Sequence, residues 1–402
     1  MTHFLLQLRP RPTVMLALCC LGLAAAGVQA GSLEQAKRIH DRLAGVPPTE
    51  AVLTQMAAEL DAGNGEAAAL IAMKNDNFYN VTLKNWAAPW TNRDRTAFVP
   101  LNDYIATVIG LVRHGEDFRR LLYADVLYVG EGISPAYSNS SNAHYEAMEN
   151  TGASLQDVLV SQLQSAVTGL PPEATAGVLT SRAAAKAFLI DGTNRANLRF
   201  TLINHLCVDL EQLKDATLLP DRIRQDVSRS PGGDARVYLN NCIACHTGMD
   251  PLAQAFAYYD YTYDENPDNG SLDYNAVGEL DPATESRVKA KYHINSATFP
   301  YGYVTPDDGW DNYWRKGVNR RLGWDDSLPG SGAGASSMGR ELAYSDAFAE
   351  CQVKKVFRAV CLREPGNLSD RNQVNSLLST FTGNGYNLKP VFAQTANYCK
   401  GD

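Results

Sequence analysis

The chain has 402 residues, 45% of them apolar and 20% charged, with a mean hydropathy of −0.25. That balance excludes a disordered, collagen-like or multi-spanning membrane chain and predicts a globular protein of one large or two ordinary domains. A formal charge of −8 argues against nucleic acid or an anionic membrane surface as the main partner.

Residues 1–30 read as a secretory signal. Arg9 and Arg11 give a basic start without acids, Val14 to Leu23 is apolar but too short to span a bilayer, and Val28-Gln29-Ala30 places small residues before Gly31. A lipoprotein cut before Cys19 is the rival reading, but Leu16-Ala17-Leu18 fits that signal poorly. Without the leader, 34 Lys and Arg face 44 Asp and Glu, which suits a cationic or neutral partner.

Residues 31–170 form a helical N-terminal region. Ser32, Thr49 and Asn102 are helix starts, and Val52, Met56, Leu60 and Ile105, Ile109, Val112 keep helical spacing. Ser134 to Tyr145 is polar and reads as a loop, Ser154 to Val167 as a helix, and Leu170-Pro171-Pro172 as a joint. In the second region, residues 171–402, Ala185 to Ile190 and Asn197 to Leu213 are helical. Gly232-Gly233-Asp234 starts a short helix over Ala235 to Asn241, and Asp250-Pro251 starts another over Leu252 to Tyr259. Residues 260–337 lack apolar periodicity, and a run that long inside a domain predicts packing over something. The glycine and serine run Gly330 to Ser337 reads as a loop leading into a helix near Gly339. The chain then closes with helices over Tyr344 to Leu362, Ser369 to Phe381 and Leu388 to Tyr398.

Between the two short helices stands Cys242-Ile243-Ala244-Cys245-His246, the Cys-x-x-Cys-His attachment pattern of c-type haem. Two thiols three positions apart can each reach one porphyrin vinyl group, and the adjacent histidine can then address the iron. With eight Cys and seven His, independent placement gives about 0.003 such runs per chain, so chance explains it poorly. A redox dithiol or half of a zinc site needs no following histidine, and a zinc site needs a second pair that this sequence lacks. The acidic loop Asp264 to Gly270 misplaces the glycine and the bidentate glutamate that a calcium loop requires. There is also no Gly-x-Ser-x-Gly hydrolase elbow.

The motif with Thr247-Gly248-Met249-Asp250-Pro251 and the apolar helix after it resembles the planctomycete-type cytochrome c proteins, an exported mono-haem group. So do Arg42 to Pro48, Gly192-Thr193-Asn194-Arg195, Arg229 to Asp234 and Phe348 to Cys361. The resemblance covers most of the chain after the leader, though only the haem motif is specific. Relatives often follow the Asp-Pro with glycine, where this chain has Leu252-Ala253-Gln254. The expected fold is mostly α: a helical N-terminal region and an α-helical, cytochrome c-like haem region with a long irregular segment. One haem c is expected, covalently held by Cys242 and Cys245 and ligated by His246.

The second axial position separates the possible functions. Met249 is too close to His246 to reach the opposite porphyrin face. Met338, on a loop before a late helix, is the preferred distal ligand and His293 the runner-up, with an open position as the alternative. Metal ligation is thus expected from His246 and Met338. Arg195, Arg229, Trp310 and Trp324 are candidate donors to the propionates. Among the other cysteines, Cys351 and Cys361 lie on one predicted helix, roughly 15 Å apart and beyond disulfide reach. An up-down-up run of the last three helices favours Cys361 with Cys399 and, by elimination, Cys207 with Cys351; free buried thiols are the alternative. The expected role is one-electron transfer with a protein partner in the periplasm or at the cell surface, without nucleic acid or a membrane span. A haem enzyme with an open iron and a docking or relay subunit of a cell-envelope redox complex are the alternatives.

Overall fold

A computed structural model describes residues 30–401. The expected signal segment up to residue 29, with Cys19 and Cys20, lies outside the described residues.

Over the described residues the chain is mostly α-helical, as the spacing predicts, with three small strand pairs. Helix starts follow local chemistry. The Thr49 hydroxyl accepts from Val52 N at the head of Glu50–Asp61, and Asn102 Oδ1 accepts from Ile105 N, 3.0 Å away, at the head of Asp103–His114. Asp103–His114 is buried from Asp103 through Val112, and its Gly110 lies against the Tyr128 ring where a Cβ would collide. Helix Ser32–Ala44 packs on Glu50–Asp61 and on Gly65–Ala72. The last helix, Leu388–Tyr398, packs on Gly65–Ala72 and on Asp346–Cys361, so both ends of the chain share one apolar core that crosses the 170/171 joint.

Several element boundaries differ from the expectation. The helix predicted over 154–167 is cut by strand Leu159–Gln162, which pairs antiparallel with Leu127–Gly130; the apolar Val158-Leu159-Val160 run fits a strand as well as a helix turn. The predicted loop 134–145 already enters helix Ala143–Thr151. The helix predicted over 197–213 ends at Cys207, in the left-handed region at φ 56°. The irregular segment contains two hairpin-like pairs, Tyr259–Thr262 with Ser271–Tyr274 and Gly309–Asp311 with Ser331–Ala333. The Gly330 to Ser337 run is therefore not a loop. Gly332 lies against the Trp310 ring as part of the second pair, and helix Gly334–Ala343 begins five residues earlier than predicted.

Two disulfides join Cys207 to Cys351 and Cys361 to Cys399, with Cα–Cα separations of 5.3 and 5.5 Å. This is the favoured pairing: helix Asp346–Cys361 carries Cys351 and Cys361 ten residues apart, and neighbouring elements supply their partners.

Burial pushes the Asp308 carboxyl up to about 6, with Arg287 offsetting only part of it. A carboxyl raised in the folded state binds its proton more tightly there, so its ionisation destabilises the fold as pH rises from about 4 through 6. Asp308→Asn is expected to stabilise the protein by about 1 kcal/mol above pH 6.5 and not at pH 4. Thermal melts across that range would show the difference between the two chains opening with pH.

Candidate functional site

The motif is carried by one continuous helical stretch, residues 235–256. It opens on the Asp234 cap, whose side chain accepts from Arg236 N, widens into a π-turn over Tyr238–Cys242 and continues as α-helix Ile243–Ala253. Asp250-Pro251 does not start a new helix here. Pro251 sits inside it, one turn after Thr247, whose carbonyl the missing N–H would have met, and Asp250 turns its side chain back along the helix. Cys242 and Cys245, one turn apart, share a face and are partly exposed. Of the six described cysteines they are the two that form no disulfide. Cys242 and Ile243 pack against a small apolar cluster of Ile223, Val227 and Tyr238, separate from the main core. Burial raises the Cys245 thiol, against the pull of Lys214.

His246 follows on the same helix with its side chain 18% exposed. Its Nδ1 lies 3.0 Å from Asp250 Oδ2 and 3.1 Å from Oδ1, an i,i+4 pair in which the ring N–H donates to the carboxylate. That bond fixes the tautomer and leaves Nε2 as the free lone pair.

Asp250 is fully buried and sits in a charged cluster. Arg195 grips it through Nε (2.7 Å) and Nη2 (3.2 Å), and grips Asp226 through Nη1 (2.7 Å) and Nη2 (3.0 Å). Arg224, only 1% exposed, brings Nη2 to 3.5 Å from Asp250 Oδ1 and 3.2 Å from Thr193 Oγ1. Burial alone would raise the Asp250 carboxyl, but Arg195, Arg224 and His246 hold it well below the usual carboxylate range. Burial also lowers Arg224, with Arg195 adding to it. The Gly192-Thr193-Asn194-Arg195 run now has a mechanical role. Asn194 Nδ2 donates to the carbonyls of Phe256 and Tyr259, each 2.9 Å away, tying the end of the motif helix to the helix that aims Arg195 at Asp250.

The remaining sequence candidates are placed as follows. Arg229 stacks on Phe299 (4.0 Å) and Tyr238 (4.7 Å), beside the cysteine cluster. Trp310 Nε1 donates to Ser337, and Trp324 Nε1 to the carbonyls of Trp314 and Asn319. Met338 lies within helix Gly334–Ala343, fully buried in the main core; that helix packs on Phe118–Leu122. His293 Nε2 is bonded to the Thr305 carbonyl at 2.9 Å. Asp226, Asp250 and Arg224 were missed. Asp250 was legible at i+4 from His246 once the helix is seen to run through Pro251, whereas Arg224 and Asp226 carry no pattern of their own.

These residues fit a covalent haem. The two free thiols stand one turn apart, the histidine offers Nε2 beside them, and Arg224 keeps Nε and Nη1 without hydrogen-bond partners although it is buried. The expectation of a metal-binding protein is corrected, however. Among the described residues no group of three or more His, Cys, Asp or Glu side chains could hold a metal ion, so side chains alone form no metal centre. A cleft of about 770 Å³ is lined by none of the motif residues, and at its edge Arg182 and Lys186 both donate to Asp268. No described helix is long and apolar enough to cross a membrane. No family model, curated protein or solved structure matches the chain.

Proposed function

We propose that this chain is an exported mono-haem c-type cytochrome, similar to the planctomycete-type group, that passes single electrons to or from a protein partner in the periplasm or at the cell surface. The observation that carries this reading is the pair of free thiols one helical turn apart, next to a histidine whose Nδ1 is already committed to Asp250. Cys242 and Cys245 would form the thioethers, and His246 Nε2 would be the proximal ligand. Asp250, clamped by Arg195, holds the imidazole in one orientation. Once bound, such a cofactor cycles one electron between ferrous and ferric iron. The small apolar cluster of Ile223, Val227 and Tyr238 gives the attachment side an apolar surface beside Cys242. The two disulfides fit an oxidising compartment. The net charge of the chain suits a cationic or neutral partner.

Protein made in a host that matures c-type cytochromes should keep a haem-stained band on a denaturing gel and bind about one haem per chain by pyridine haemochrome. A colourless band would overturn the reading.

A second reading, a haem enzyme with an open sixth position, is favoured by the burial of Met338 in a core helix. Met338→Leu conserves volume and is expected to lower stability by less than about 1.5 kcal/mol and to leave the visible and near-infrared spectrum unchanged. Loss of a long-wavelength charge-transfer band in this variant would instead identify Met338 as the ligand.

A further inference from the structure

The backbone of residues 209–217 separates the motif helix from a second element. On one side the Leu210 carbonyl lies 3.7 Å from Cys245 Sγ, Asp215 N donates to the Ala244 carbonyl at 3.0 Å, and Thr247 Oγ1 donates to the Asp215 carbonyl at 3.1 Å. On the other, the Gln212 and Leu213 carbonyls accept from Arg321 Nη2 and Asn319 Nδ2, both at 2.9 Å. The 3-10 turn Gly317–Leu322 is thus one chain-width from the haem-attachment thiol. It buries Asn319 and Leu322 and turns Lys316, Val318, Arg320 and Arg321 outward.

The charge there is opposite to that of the chain. Nearby Lys214 and Arg199 are neutralised by Glu211 and Asp209. Lys316, Arg320 and Arg321 have no ion-pair partner among the described residues, and Arg321 spends one N–H on a backbone carbonyl. The next acids along the chain, Asp325 and Asp326, lie beyond buried Trp324, where both act on Arg315. Val318, 64% exposed, adds apolar surface among the cations. Apolar side chains with a charged rim are the composition of a docking face. Two carboxylates lie against the same turn, Asp215 buried behind Gly317 and the exposed Asp346 beside Gly323. At 0.1 M salt, charges beyond about 10 Å are screened, and the three unpaired cations outnumber these two local acids during encounter.

We propose that the Lys316–Arg321 turn, beside Cys245, is where the redox partner docks, and that this partner presents an acidic protein surface. The proposal rests on the c-type haem reading, and it replaces the cationic partner that net charge alone suggests.

The reduced, haem-loaded protein can be mixed with ferricyanide, an anion that takes one electron from it, and separately with the cation tris(phenanthroline)cobalt(III). The ferricyanide rate constant is expected to fall several-fold from about 10 to 200 mM salt, and the cobalt rate to rise. The triple variant Lys316→Glu, Arg320→Glu, Arg321→Glu should reverse both slopes with an unchanged spectrum. Independently of redox chemistry, a fluorescent polyglutamate peptide at about 20 mM salt should bind the parent chain and not the variant, read by anisotropy. A coloured protein whose ferricyanide rate rises with salt, or whose polyglutamate binding survives the triple change, would overturn the docking assignment. A colourless protein would overturn the haem reading instead, and the peptide measurement would still report on this face.

Discussion

Asp250→Asn is expected to destabilise the protein by about 3–5 kcal/mol, the range for removing one partner from a buried ion cluster. The carboxylate has three cationic or donor neighbours, Arg195, Arg224 and His246, and none of its surface reaches solvent. Without its charge, Arg195 and Arg224 are left with Asp226 alone, and a buried guanidinium that loses its counterion keeps its desolvation penalty. Asp234→Asn, which removes only the exposed pair with Arg236, should leave stability within error. Urea unfolding of both variants at one pH makes the comparison. An Asp250→Asn midpoint close to that of the parent would mean that the cluster is not formed in solution. In the haem-loaded protein the same change weakens the acceptor on Nδ1, so the imidazole becomes a poorer donor to ferric iron and the reduction potential should rise.

The second large effect concerns the thiols. Cys242→Ser with Cys245→Ser should abolish the pigment that survives denaturation, whereas either single change leaves one possible thioether and a weaker band. The fold should persist in all three, because neither cysteine joins a disulfide and both are partly exposed. Far-ultraviolet circular dichroism checks this. If the double variant remains coloured after denaturation, these two residues are not the attachment points.

The helices were legible wherever periodicity and capping agreed. Leu388–Tyr398 carries its predicted ends, and Asp346–Cys361 lies within two residues of them. Failures came where tertiary contacts decide between two local options. Val158-Leu159-Val160 suits a helix turn and a strand equally, and the Leu127–Gly130 edge selects the strand. Gly330 to Ser337 looks like a flexible run because glycine signals freedom. Here the same glycines let the backbone approach Trp310 and begin a helix, which places Met338 in the core. At the site, the thiols and histidine could be read from spacing alone. Asp250 was hidden by a competing local role, since Asp-Pro is a strong helix-start signal, and its true partner lies 55 positions away at Arg195.

The Cys207–Cys351 bond has a consequence for how the molecule breaks. Together with the intervening backbone it closes a ring, 144 positions around, that contains the motif helix and the whole irregular segment. A protease cutting the exposed Asp264-Glu265 tip opens that ring without freeing either half. Nicked material would therefore migrate as one species until a reductant is added, and the piece that carries Cys242 and Cys245 would separate only then.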